Sequence, residues 1–115
     1  MRFALLLLTG CTAAATTDTG SGCPNDLPAS CPATVPDYNT EIAPIIEARC
    51  LTCHSPGGAG SAGHDFTTYQ TVYNQQTEIL SQVYGCRMPP EGATPLSSDE
   101  RALLLDWLVC GAPGD

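Results

Sequence analysis

Two cysteines and a histidine lie within five residues, in the stretch Cys50-Leu-Thr-Cys53-His54. Two thiols and an imidazole at this spacing can bind a metal ion, exchange disulfides or hold a cofactor covalently. The next segment, residues 55–63, contains only Ser, Pro, Gly and Ala. Glycine permits tight turns and close approach. The segment therefore fits either a loop that wraps a bound group or a flexible surface loop.

The pattern Cys-x-x-Cys-His is the attachment signature of c-type haem. Thiols about one helical turn apart can add to the two vinyl groups on one edge of the porphyrin, and the next imidazole can reach the iron. We therefore predict one covalent haem c, with thioethers at Cys50 and Cys53 and His54 as the proximal iron ligand.

Two other chemistries use the same residues. A zinc site would draw on Cys50, Cys53, His54 or His64, and Cys86, but adjacent Cys and His rarely serve one tetrahedral site. A thiol–disulfide oxidoreductase places its CxxC motif at the start of a helix that follows a strand. Here no strand is predicted and the motif ends a predicted helix, so we rank both alternatives below haem.

Met88 is the predicted distal iron ligand. The chain has two methionines, Met1 and Met88. Met88 lies in the Pro-rich loop Cys86-Arg-Met-Pro-Pro. Methionine with histidine is an axial ligand set of cytochromes c and raises the reduction potential, although a single methionine is commonly core filler. Without Met88 the iron would be open, as in a haem-based sensor or weak peroxidase, or would take His64. Arg49 and Arg87 are candidates for the haem propionates or are plain surface charge.

The elements that must position these residues are helices. Ile42, Ile45 and Ile46 form one apolar stripe, which predicts a helix from Asn39 or Thr40 into Cys50, with Pro44 near its first turn. A second helical region, broken or continuous, is predicted over residues 67–84 and ends at Gly85. The third begins at a Ser97–Glu100 capping box and ends at Gly111, with a buried side carrying Leu103, Leu104, Trp107 and Leu108. The expected fold class is all-α.

Together the stretches YNTEIAPIIEARCLTCH, CRMPP and LSSDERALLLDWLVCGAP resemble the small single-haem cytochrome c domains of bacteria, over about residues 37–113. The resemblance implies three or four short helices around one haem. It also implies thioethers at Cys50 and Cys53, iron ligation by His54 and Met88, and packing of the helices of Ile42 and Trp107 near the haem. The chain departs from many such domains because it has no lysine and adds Cys86 and Cys110.

The four remaining cysteines of the exported part, Cys23, Cys31, Cys86 and Cys110, allow three disulfide pairings. We favour Cys86 with Cys110, which would pin the Met88 loop to the last helix, and Cys23 with Cys31.

The amino terminus predicts export. Residues 1–10 form a short signal peptide, and Leu8-Thr9-Gly10-Cys11 looks like a lipoprotein lipobox with Cys11 as the lipidated residue. Cleavage near residues 12–16, as in an ordinary signal peptide, is the alternative. Residues 11–36 are predicted to be a disordered tether to a cytochrome c domain at residues 37–115.

With 12 acidic residues, four arginines and no lysine, the net charge is −8. This balance disfavours nucleic acid and anionic lipid as partners. It either favours a basic protein partner or only keeps the protein soluble. Because two strong axial ligands would leave the iron no open position, we predict an electron carrier rather than an enzyme. It would be anchored by lipid on the periplasmic side of a bacterial membrane. Envelope redox proteins would be its donor and acceptor. A haem module of a larger complex is the competing class.

Overall fold

The computed structural model describes residues 22–114, and in this range it has helices and no strand. The predicted signal peptide, Cys11 and residues 11–21 of the predicted tether lie outside the described residues. The all-α prediction is confirmed for the described part. None of the helices there has the length and apolar character needed to cross a bilayer.

The first helical segment starts with a π-helical turn, Tyr38–Ile42, which continues into α1, Ala43–Arg49. The Asp37 carboxylate accepts a hydrogen bond from the Thr40 backbone N–H and so caps the first turn. Proline stands in the first turn of α1, where a missing N–H costs least. The predicted stripe is confirmed, because Ile42, Ile45 and Ile46 are all buried.

The second helical region is broken into α2, Tyr69–Asn74, and α3, Gln76–Tyr84, with Gln75 at the junction. Gly85 ends α3 as predicted. The last helix, α4, spans Ser98–Val109 and begins with the predicted capping box between Ser97 and Glu100. Gly111 follows it with φ +84°, a left-handed conformation that glycine adopts without strain.

The core forms where α4 packs against α3 and against the π-helical turn. Tyr38 at the start of the first helical segment lies 5.6 Å from Trp107 near the end of α4, measured between ring centroids. Arg49 at the other end of that segment pairs with Glu100 at the start of α4. The two helices therefore run in opposite directions. Leu105 is also buried, whereas the predicted Leu103 is only partly so.

Residues 22–36 are not a free tether, contrary to the prediction. This segment is fixed to the helices by two disulfides and by an ion pair between Asp26 and Arg101. The Asn25 side chain accepts a further hydrogen bond from the Tyr84 hydroxyl. Polar and cysteine side chains fix a segment that lacks apolar periodicity.

The predicted disulfide pairing is also wrong. The bridges join Cys23 to Cys86 and Cys31 to Cys110, not Cys86 to Cys110 and Cys23 to Cys31. Arg101 in the first turn of α4 contacts the sulfur of Cys86, whereas Cys110 caps the far end of that helix. Arg101 and Cys110 are nine positions apart, which is about 13 Å along a helix, and a disulfide needs Cα atoms within about 7 Å. Residues 22–36, the amino-terminal segment, therefore run along the length of α4 and form a disulfide near each end of it.

Candidate functional site

A cavity of about 850 Å³ opens between the CxxCH motif, α3, the Met88 loop and α4. Cys50, Cys53, His54 and Met88 all line it. Its size lies within the range of about 300–1,000 Å³ that is usual for cofactor and ligand sites. The structure thus brings the four residues singled out from the sequence to one cavity.

The cavity wall is largely apolar away from these four residues. Side chains from four parts of the fold contribute to it, namely Phe66, Ile79, Val83, Leu96 and Leu104. An apolar wall with a few sulfur and nitrogen donors suits a large, flat, hydrophobic group better than a small polar substrate. The sulfur and nitrogen atoms there belong to two cysteines, an imidazole and a thioether, which are the residue types that hold haem covalently and ligate its iron.

The CxxCH motif is a tight turn that follows α1 directly. Cys50 caps the helix, and its carbonyl accepts hydrogen bonds from the backbone N–H groups of Cys53, at 3.2 Å, and His54, at 2.9 Å. Burial raises the pKa of the Cys50 thiol to about 11. Redox-active CxxC cysteines lie at helix amino termini and have lowered pKa values, whereas Cys50 lies at the carboxyl end of α1.

The His54 imidazole is fixed on two sides. Its ring stacks on Phe66 with centroids 4.5 Å apart, and its Nδ1 lies 2.8 Å from the His64 carbonyl oxygen. Because a carbonyl only accepts, Nδ1 carries the proton and donates it. The neutral ring then has its lone pair on Nε2, the tautomer that a metal ligand needs.

The side-chain-poor segment after the motif folds back against it. A Cβ atom at Gly58 would lie 2.5 Å from the Cys53 carbonyl oxygen, and one at Gly60 would lie 3.0 Å from Cε1 of His54. The Gly60 N–H also donates to the Cys53 carbonyl, at 2.8 Å. The sequence left open whether this segment packs closely against a group or is a flexible loop. At Gly58 and Gly60 it packs closely, and the atoms it packs against are the backbone and imidazole of the motif itself.

Met88 is held at its backbone by the end of α3. The N–H groups of Arg87 and Met88 both donate to the Gln82 carbonyl, at 2.9 and 3.1 Å. The Cys23–Cys86 disulfide ties down the same loop two residues before Met88. Pro90, which follows in the loop, is buried against the cavity.

The two candidate propionate arginines are placed differently. Arg49 lines the cavity, and its Nε donates to both carboxylate oxygens of Glu100, at 3.1 and 3.2 Å. Arg87 donates to the side chains of Gln82 and Ser81 and does not line this cavity. Arg49 alone of the two therefore faces the candidate site.

The zinc alternative loses one of its ligands. Cys86 is bound to Cys23 in a disulfide and has no thiolate to offer. Within residues 22–114 no group of three or more His, Cys, Asp or Glu side chains is arranged to hold a metal ion. His64 does line the cavity, with its ring centroid 6.2 Å from that of His54.

Comparison of the chain with protein-family models, curated proteins and solved structures gives no match. The function is therefore argued from the site. Sequence reasoning missed Phe66, which stacks on His54, and Gln75, which holds the adjoining loop. Neither residue belongs to a motif, and only the folded chain brings them to the site.

Proposed function

We propose that the protein is a c-type cytochrome that carries single electrons. Cys50 and Cys53 would hold haem c through thioether bonds, and His54 and Met88 would ligate its iron. The supporting observation is that the CxxCH motif and Met88, 34 residues beyond His54, line the same largely apolar cavity. When bound, the haem supplies reversible exchange of one electron between its ferrous and ferric states.

Each residue has a physical task in this proposal. His54 presents the Nε2 lone pair because Nδ1–H is committed to the His64 carbonyl. The Met88 loop, tied to α3 and to Cys23, presents a thioether that favours the reduced state. The apolar side chains of the cavity exclude water, and Arg49 offers a cation for a carboxylate at its edge.

We further propose that the protein works in the bacterial cell envelope. The disulfides Cys23–Cys86 and Cys31–Cys110 are typical of proteins from oxidising compartments. A lipid on Cys11 would anchor the chain to a membrane. The net charge of −8 favours redox partners with basic docking surfaces.

The test is expression of the full chain in a bacterial periplasm with haem-attachment machinery. We expect a coloured protein whose mass includes one haem and whose oxidised spectrum contains the methionine–iron band. The double variant Cys50→Ser, Cys53→Ser should lack covalent haem, whereas Ser55→Ala, next to the motif, should retain it. A correctly processed wild-type protein without haem would refute the proposal. Haem without the methionine band would instead favour an open iron, as in a sensor.

A further inference from the structure

Gln75, at the junction of α2 and α3, connects to two consecutive residues of the loop after the CxxCH motif. Its amide Nε2 donates to the Gly63 carbonyl oxygen at 2.8 Å, and its Oε1 is hydrogen-bonded to Nδ1 of His64. Gln75 is itself fixed, because its backbone N–H donates to the Val72 carbonyl. A helix junction thus holds a loop that has few other side chains.

The direction of these bonds follows from their acceptors. The Gly63 carbonyl can only accept, so the NH2 group of the Gln75 amide faces it. The amide oxygen then faces His64, whose Nδ1 must carry the proton. Both groups of the amide are used, and each fixes the orientation of the other.

The segment held in this way carries the acceptor for the proximal histidine. The His64 carbonyl oxygen receives the His54 Nδ1–H at 2.8 Å. Gln75 binds the carbonyl of the preceding residue and the His64 side chain, so it holds the backbone that leads into this acceptor. Gly63 and His64 are exposed, so burial does little to hold them. Gly63 also has a left-handed backbone conformation, with φ +75°.

We infer that Gln75 is a positioning residue for the proximal ligand and tunes the reduction potential of the site, an inference that rests on the proposed function. A hydrogen bond from Nδ1–H to a fixed carbonyl makes Nε2 a stronger donor, which favours ferric iron. Loss of the two Gln75 hydrogen bonds should weaken the bond from His54 Nδ1–H to the His64 carbonyl and raise the midpoint potential. We expect about a tenfold change in the ferric–ferrous equilibrium, or about 59 mV for one electron.

Three variants test the inference. Gln75→Leu removes both bonds, and Gln75→Glu retains an acceptor for His64 but cannot donate to Gly63. Gln76→Leu is the matched control, because the Gln76 amide donates to the Tyr73 carbonyl in α2 and not to the loop. The midpoint potential of each haem-loaded protein is measured, together with the solvent exchange of the His54 Nδ1–H in nitrogen-15 labelled, reduced protein.

We expect Gln75→Leu to raise the potential and speed the exchange, Gln75→Glu to lie between it and the wild type, and Gln76→Leu to match the wild type. Wild-type potential and exchange in Gln75→Leu would overturn the inference. If that variant does not fold, wild-type values in Gln75→Glu would overturn it equally. If the wild-type chain takes up no haem, the proposed function fails, and the exchange comparison on the chain as purified still decides whether Gln75 holds the His54 contact.

Discussion

Arg101 and Asp26 form a two-point ion pair across 75 residues of sequence, with Nε–Oδ2 at 2.8 Å and Nη2–Oδ1 at 2.9 Å. The Arg101 side chain is only 12% exposed, and its Nη1 also donates to the Val83 carbonyl at 2.8 Å. One guanidinium therefore joins the amino-terminal segment, the end of α3 and α4.

Replacing this guanidinium should destabilise the fold. Arg101→Lys keeps the charge but cannot form the paired bonds to Asp26 and also reach Val83. We expect a loss of about 2 kcal/mol in the free energy of unfolding, measured by urea denaturation. Arg87→Lys, at an exposed arginine bonded to Gln82 and Ser81, should cost less than about 0.5 kcal/mol. An equal loss of unfolding free energy in the two variants would show that the bonds of Arg101 to Asp26 and Val83 do not stabilise the fold.

Acid should weaken the same connection. The hydrogen bonds from Arg101 lower the pKa of Asp26 below its ordinary value of 3.8, against a smaller opposing effect of burial. Bonds from the Ser97 backbone, and then from Arg49, lower the pKa of Glu100 below 4.5. A lowered pKa in the folded state adds stability above the unfolded pKa, and this stability is lost as the pH falls.

We therefore expect stability to decrease below about pH 5, as followed by circular dichroism during urea titrations at several pH values. Asp26→Asn should be less stable at neutral pH and should show a flatter acid profile. Glu47→Gln, at an exposed position of α1, should keep the wild-type profile. An unchanged acid slope in Asp26→Asn would show that the pair does not contribute to it.

The disulfide connectivity makes a separate prediction. Peptide mapping without reduction should give Cys23 linked to Cys86 and Cys31 linked to Cys110. The bridges close loops of 63 and 79 residues, and each should contribute about 4 kcal/mol in the chain-entropy model. In haem-loaded protein, Cys23→Ser with Cys86→Ser should weaken the methionine–iron band more than Cys31→Ser with Cys110→Ser, because Cys86 lies in the Met88 loop. An equal effect of both pairs would contradict this.

Met88→Leu tests the proposed role of Met88 as the distal ligand. Leucine keeps the apolar contact but provides no sulfur, so the variant should bind haem, lose the methionine–iron band and have a lower potential. It should also bind added imidazole at the iron. Leu96→Met, at another position of the cavity wall, should retain the wild-type band. A wild-type band in Met88→Leu would exclude Met88 as the ligand.

The glycines behind the CxxCH motif should be sensitive to one added methyl group. Gly58→Ala places a carbon against the Cys53 backbone, which cannot move without shifting the motif. Gly57→Ala meets no atom within 4 Å and bears only the strain of φ +83°, about 1 kcal/mol. Thermal unfolding of the two variants should therefore show the larger loss for Gly58→Ala. The reverse order would mean that the loop does not pack on the motif.

Local patterns made the helices predictable. The Ser97–Glu100 capping box and the stripe of Ile42, Ile45 and Ile46 depend on residues three or four positions apart, and such spacing is visible in the sequence. The CxxCH motif indicated the site for the same reason. Met88 was predicted as a site residue from composition and loop context rather than from a motif, and the structure places it at the cavity.

Contacts between distant residues were not predictable. The pairing of Cys23 with Cys86 depends on where the amino-terminal segment lies along α4. The ion pair between Asp26 and Arg101, which are 75 residues apart in sequence, helps to fix that position. That segment has no apolar period and therefore resembled a tether. Gln75 gave no signal, because its importance lies in the loop that folding brings beside it.

The hydrogen bond of the Trp107 indole has a practical consequence for preparing the protein. Its Nε1–H donates to the Pro113 carbonyl oxygen at 3.0 Å, and the side chain is fully buried. A carboxypeptidase that trimmed the chain back to Ala112 would take this acceptor away and strand a donor in the interior, at about 1–3 kcal/mol. Affinity tags are therefore best separated from Pro113 by a linker, so that its carbonyl stays in place.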